Sequence, residues 1–308
     1  MHPRVSIIIA AYNARDFIET AVTSALGQTE QNLEVLVVDD GSSDGSPDLI
    51  RGISDPRLRL YVLDRNGGPS RARNRAIQEA RGDWITFLDA DDWYAPDRME
   101  VMLRVGEENQ TEIVADDLYR LTGPNDPAPR TKLGKFRLKG PKIIDAGAFL
   151  KMDCGLKPVI RRDFILRQSI LFDERLRNGE DTLLLLECLL AGARLLLWPK
   201  PYYYYREHEG SLSSFRVEAL IQRCKTTQEL LRREIIQSDS LLRGILEIRL
   251  AEAKEGLRYY SVVEPLRQWR LREALRAGLF KPSFFRLLVM ALPKVFNNRI
   301  CRHLSPRT

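Results

Sequence analysis

Cysteine is scarce: Cys154, Cys188, Cys224 and Cys301 are widely scattered, with no C-x-x-C pair among them. That spacing argues against a zinc knuckle and a disulfide framework, and four thiols without a leader fit a reducing cytoplasm. No apolar run approaches the roughly 20 residues that span a bilayer, so the chain is not expected to cross a membrane. A strand-like run begins at Val5, and nothing before it reads as a signal peptide. Neither G-x-G-x-x-G nor G-x-x-x-x-G-K-[ST] follows a strand, which disfavours a dinucleotide or P-loop site.

What is present is a globular composition. With 44% hydrophobic and 29% charged residues in 308, a sizeable core can be buried and general disorder is not expected. The net charge of +6 is unevenly placed. Residues 216–308 hold 19 basic against 9 acidic residues, a net +10, which leaves −4 on the remainder. After Glu273 there are seven basic residues and no acidic one. A basic tail on a mildly acidic domain points to an anionic surface as partner, either lipid headgroups or nucleic acid.

Val5–Ala10, Leu33–Val38, Leu58–Leu63 and Trp84–Leu88 are short apolar runs of the length of buried strands. Between them, Phe17, Ile18, Ala21, Val22, Ala25 and Leu26 recur at helical spacing, as do Ala72, Ala76, Ile77 and Ala80. This alternation predicts a mostly parallel, Rossmann-like sheet flanked by helices. Residues 120–142 carry four of the 16 prolines and many basic residues, and read as a mobile loop or excursion. Helices are expected at Ala146–Met152 and Asp181–Ala191, and strands at Lys157–Ile160 and Arg194–Trp198. From about Phe215 the pattern is helical, interrupted near Asp239, Pro265 and Pro282. The division expected is therefore a 1–215 αβ domain and a 216–308 basic helical region.

In open αβ sheets ligands collect beyond the carboxyl ends of the strands, and three strands here deliver polar groups there. The first ends in Ala10-Ala-Tyr-Asn13, the second in Asp39-Asp-Gly-Ser42, and the fourth in Asp89-Ala-Asp-Asp92. Three carboxylates within four residues repel one another unless a cation sits among them. Hard oxygen ligands suit Mg2+ or Mn2+, held by one or two carboxylates and substrate phosphates. Alone, the cluster reads equally as an acidic turn opening a helix at Pro96. Asp40 suits the N3–H of a uracil, yet alone is a turn former before Gly41. Asn66-Gly-Gly-Pro-Ser70 with Arg71, Arg73 and Arg75 can face a diphosphate, or simply be a capped basic helix.

Together these segments match a family. Val5-Ser-Ile-Ile-Ile-Ala-Ala-Tyr-Asn13, Val37-Val-Asp-Asp-Gly-Ser-Ser-Asp44, Gly67-Gly-Pro-Ser-Arg-Ala-Arg-Asn74 and Ile85-Thr-Phe-Leu-Asp-Ala-Asp-Asp92 resemble the family 2 glycosyltransferases of the GT-A fold. The resemblance continues through Asn178-Gly-Glu-Asp181 and the strand around Tyr202–Tyr205. It implies an inverting transferase that uses a UDP-sugar donor and Mn2+ or Mg2+. Ala10 and Tyr12 would line the uracil pocket, Asp40 would bind N3–H, and Arg73 would lie near the diphosphate. Asp89 would touch donor ribose or sugar, Asp91 the metal, and Asp181 would be the base. His208, one of 3 histidines, stands where some relatives add a metal ligand; as a lone exposed histidine it reads as inert. Ala10 and the Arg75-Ala76 pair depart from the commoner residues without removing a chemical group. Trp93 and Trp198 read as core or rim rather than sugar platforms.

The segment Gly155-Leu-Lys-Pro-Val-Ile-Arg-Arg162, the Ala115-Asp-Asp-Leu118 stretch and the long helical tail are similar to transferases that build bacterial exopolysaccharide such as succinoglycan. That resemblance implies a saccharide acceptor, lipid-linked, and a cytoplasmic protein peripheral on the inner face of the membrane. Ser283–Phe296 is apolar with basic flanks, as suits a headgroup-level helix or equally a helix packed on the domain. The competing readings are a nucleotidyltransferase, for which Ala11-Tyr-Asn-Ala14 lacks the basic Gly-rich loop, and a non-catalytic sugar-binding module. A nucleic-acid binder would leave the acidic strand ends unexplained, so no nucleic-acid partner is expected.

Overall fold

Three of the four apolar runs fold as buried strands, while Leu58–Val62 is a half-buried strand at the sheet edge with Val62 exposed. In β1 (Val5–Ala11), Ile7, Ile8 and Ile9 are all solvent-inaccessible, and β2 (Leu33–Asp39) is buried along its whole length. Both faces are covered, as a parallel sheet requires. The structure is a computed structural model, and it describes residues 2–121, 130–131, 138, 140–207, 216–267, 270 and 272. Chain contacts divide it into two units, residues 1–214 and 215–308.

In the first unit, α1 (Ile18–Leu26), α2 (Ser46–Arg51) and α3 (Pro69–Glu79) connect β1 and β2 to β3 (Leu58–Val62) and β4 (Trp84–Asp89). These four strands are parallel, in the order β3-β2-β1-β4. There follow β5 (Trp93–Tyr94), α4 (Arg98–Glu108), β6 (Ile113–Leu121), β7 (Arg130–Thr131), β8 (Lys142–Ile144) and α5 (Ala146–Met152). The unit closes with β9 (Pro158–Arg161), α6 (Arg162–Gln168), α7 (Glu180–Leu190) and β10 (Leu195–Arg206). The sheet continues β4-β9-β6-β10-β5; β9 runs antiparallel between β4 and β6, and β10 is parallel to β6. Short β7 and β8 add antiparallel to β6 and β10, so the 120–142 segment is bordered by strand pairs rather than being wholly a loop.

The second unit contains α8 (Arg216–Leu230), α9 (Glu234–Ser238) and α10 (Ser240–Arg267), and α8 packs along α10. Asp239 separates α9 from α10 and its carboxylate caps the N–H groups of Leu241 and Leu242. Pro265 lies within the last turn of α10, which ends at Arg267, and its missing N–H forfeits one hydrogen bond near that end. Pro282 and the apolar 283–296 segment lie outside the described residues. No helix among the described residues is long and apolar enough to cross a membrane.

One ion pair organises the β9 side of the sheet. Arg98 and Asp116 have fully buried side chains and meet through Nη2–Oδ1 at 2.7 Å and Nε–Oδ2 at 3.0 Å. Arg98 also donates to the Lys157 carbonyl at 2.6 Å and lies 4.3 Å from the Tyr94 ring centroid. Burial opposes its charge, but Asp116 more than compensates and holds the guanidinium firmly protonated. At a register shift in β10 around Pro201, the Tyr202 N–H turns to Asp116 Oδ2 at 3.2 Å. The carboxylate thus takes up a donor freed by the bulge.

Candidate active site

The carboxyl ends of β1, β2 and β4 come side by side. Ala10 is in register with both Val38 and Asp89, and the Asp40 N–H donates to the Ala11 carbonyl at 2.8 Å. Ala10 is half-buried at the strand end, and Tyr12 just beyond it is 49% exposed. Asp40 is buried and its carboxylate accepts the Gly67 N–H at 2.9 Å and the Gly68 N–H at 2.6 Å. It therefore ties the second strand end to the turn that opens α3. Gly41 is required beside it: φ is +75°, and a Cβ would meet the Arg65 backbone at 2.9 Å. Gly68, at φ +98°, lets the chain turn into Pro69 at the start of α3.

From α3, Arg73 reaches into a dense charge cluster. With its side chain 7% exposed, it meets Asp89 Oδ1 at 2.8 Å, Glu180 Oε1 at 2.8 Å and Asp181 Oδ1 at 3.3 Å. Asp181 and Glu180 form the first turn of α7, whose entry at Gly179 is left-handed, φ +81°. Lys157, immediately before β9, places Nζ 2.5 Å from Asp89 Oδ2 and 3.5 Å from Asp181 Oδ2. Burial alone would raise the Asp89 carboxyl, but Lys157 and Arg73 outweigh it and hold it well below the usual carboxylate range. The Lys157 ammonium, disfavoured by burial, is kept protonated by Asp89 and Asp181. Glu180 is pushed up by burial and by the neighbouring charge of Asp181.

Asp92 lies on the far side of the acidic run. Its Oδ2 accepts from the buried Tyr203 hydroxyl at 2.7 Å and its Oδ1 from the Arg206 N–H at 2.8 Å. Burial, with Asp89 and Asp91 as like-charged neighbours, raises it well above the ordinary value. Arg206 donates from Nε to the Asp91 carbonyl at 2.9 Å and is sandwiched between the rings of Phe17 and Trp93, at 5.0 and 4.8 Å. Trp93 in turn stacks on Tyr204, so it is part of an aromatic rim along the β5-β10 edge.

Of the residues singled out from sequence, Ala10, Asp40, Arg73, Asp89, Asp91 and Asp181 thus gather at one edge of the sheet, with Tyr12 at its margin. His208 lies outside the described residues. Lys157 and Arg206 were not singled out; each is a lone basic residue whose partners are remote in sequence. Among the described residues, no three ligand-type side chains are arranged to hold a metal by themselves. The carboxylates of the Asp89–Asp92 run are hard oxygen donors of the kind that suit Mg2+ or Mn2+, an ion that takes one or two carboxylates and completes its shell with substrate oxygens. A cavity of about 490 Å3 at the opposite edge, lined by Asp83, Thr111 and Arg161 among others, contains none of these residues.

A mixed α/β sheet flanked by helices, with acidic strand ends at one edge, is the architecture of the GT-A glycosyltransferases. The chain belongs to glycosyl transferase family 2, whose family model matches residues 6–168. It is 34% identical over 314 residues to succinoglycan biosynthesis protein ExoO of Rhizobium meliloti, an alignment covering 99% of this chain and 89% of that protein. It is also 34% identical to ExoU of the same organism over 203 residues, 62% of this chain and 58% of that protein. In structure it is similar to S. aureus TarS 1–349 in complex with UDP, with TM-score 0.67 and 19% identity, covering 95% of this chain and 89% of that one. It is likewise similar to a mannosyltransferase from Pyrobaculum calidifontis in complex with GDP-Man and Mn2+, with TM-score 0.63 and 20% identity, covering 96% and 81%. At these identities the two solved structures establish the shared fold.

Proposed function

We propose that the chain is an inverting, metal-dependent hexosyltransferase that moves a sugar from a UDP-sugar to a lipid-linked saccharide in exopolysaccharide synthesis. The observation that carries this reading is the convergence of Asp40, Arg73, Asp89, Asp91 and Asp181 at one sheet edge, from four separate segments of the chain. The similarity to succinoglycan biosynthesis proteins supports the acceptor class. The UDP bound to TarS supports the donor class.

In this reading Ala10, Tyr12 and Asp40 receive the uracil, and Arg73 and the N–H groups at the start of α3 face the diphosphate. Asp89 orients the ribose or sugar. Asp91 would hold Mn2+ or Mg2+, which when bound neutralises charge on the departing diphosphate. Asp181 accepts the proton of the acceptor hydroxyl as that oxygen attacks from the face opposite the leaving group. In this reading the bond to the acceptor forms as the bond to UDP breaks, one displacement that inverts the anomeric carbon.

Calorimetry and turnover test this reading together. With Mn2+ present the chain should bind UDP, and Asp40→Ala should weaken that binding by about 1.5–3 kcal/mol, the scale of a charge-assisted hydrogen bond. Transfer should stop in EDTA and return with Mn2+ or Mg2+. Unchanged UDP affinity in the variant removes Asp40 from the site, and full activity in EDTA removes the metal. For the basic tail we propose contact with anionic lipid at the inner face of the membrane. Deleting residues 280–308 should release the protein from phosphatidylserine vesicles at low salt; full-length protein that ignores such vesicles contradicts it.

A further inference from the structure

Lys157 has no place in the mechanism above, yet it stands at its centre. Its side chain is 12% exposed, and its Nζ bridges the donor-side Asp89 and the base-side Asp181. Arg73 makes a second bridge between the same two carboxylates. Asp181 therefore has one oxygen facing each cation: Oδ1 the guanidinium, Oδ2 the ammonium. A carboxylate occupied in this way is poorly placed to take a proton from an incoming hydroxyl.

The two contacts of Lys157 are unequal. It sits 2.5 Å from Asp89 but 3.5 Å from Asp181, so the Asp181 contact is the one more easily given up. Lysine is a compact charge on a flexible stem with three donors, able to re-aim without backbone movement. A diphosphate entering beside Asp89 offers more negative charge and more acceptor oxygens than one carboxylate does. We propose that Lys157 is a diphosphate-binding residue, which turns from Asp181 to the donor's phosphates so that donor binding uncovers the base.

This rests on the UDP-sugar reading, and the test separates the two. Binding of UDP and of uridine is measured by calorimetry at fixed Mg2+ for the wild type, Lys157→Met and Lys157→Arg. Uridine has the base and ribose but no phosphate, so it reports whether the nucleoside pocket is intact. The Met variant should lose at least tenfold in UDP affinity while its uridine affinity stays within twofold; the Arg variant should retain most of the UDP affinity. If Lys157→Met does not melt cooperatively, Lys157→Gln carries the same comparison. Wild-type UDP affinity in the uncharged variant, or an equal loss for UDP and uridine, overturns the role of Lys157 alone. Wild-type protein that binds neither UDP nor uridine overturns the donor reading, and this inference with it.

Discussion

Asp181→Asn should lower kcat by about 10²–10⁴, the usual worth of a general base, with donor affinity nearly unchanged. The argument is one of elimination within the cluster. Asp89 is held by Arg73 and Lys157 at 2.8 and 2.5 Å, closer than the 3.3 and 3.5 Å at which the same cations meet Asp181, and Asp92 is held by Tyr203 and Arg206. Glu180 is more deeply buried than Asp181 and lies against Arg73. Asp181, with its side chain 26% exposed, keeps access to an acceptor arriving from solvent. The amide preserves shape and can accept from one of the two cations through its oxygen, while its NH2 faces the other as a donor, and it cannot take a proton. Steady-state kinetics with UDP calorimetry check the split: wild-type turnover in the variant removes Asp181 from the chemistry, and a collapse of UDP affinity makes its role structural.

Asp116→Ala should cost about 3–5 kcal/mol of stability in urea unfolding, because it leaves the Arg98 guanidinium buried without its counter-charge. Arg98 is wholly inaccessible, so water cannot replace the carboxylate. The same change orphans the Tyr202 N–H at the β10 bulge and loosens the link from α4 to the Lys157 carbonyl. Exchanging both partners for apolar residues, Arg98→Met with Asp116→Leu, should cost less than the single change, since no unpaired charge remains. A loss below about 1 kcal/mol for Asp116→Ala would contradict this account of the core.

These two sites differ in how far the sequence reveals them. The strands β1 to β4 were legible because each is a short apolar run, buried on both faces in β1, β2 and β4 and half-buried in the edge strand β3, and the polar ends of β1, β2 and β4 carry the family's motifs. The sixth strand was not, because Ile113-Val-Ala115 runs straight into Asp116-Asp117, a pair that reads locally as a break. Only the remote Arg98 makes Asp116 a core residue, and no window of the sequence contains that fact. Similarly, Pro199 and Pro201 split β10 into two expected strands, 194–198 and 202–205. The structure makes them one, absorbing the prolines at register shifts. Lys157 is hidden for the same reason as Asp116: its partners stand 68 and 24 residues away. The resemblance placed Arg73 beside a diphosphate, but its grip on three carboxylates at once is a product of the fold.

The central claim is a single displacement with Asp181 as base, and the anomeric configuration of the product tests it most directly. Purified protein would be given a UDP-α-hexose, Mn2+ and lipid-linked saccharide, and the new linkage read from its proton coupling constant by NMR. The account predicts a β-linkage formed in step with UDP release. An α-linkage would contradict it, because retention requires a second displacement or a different attacking group.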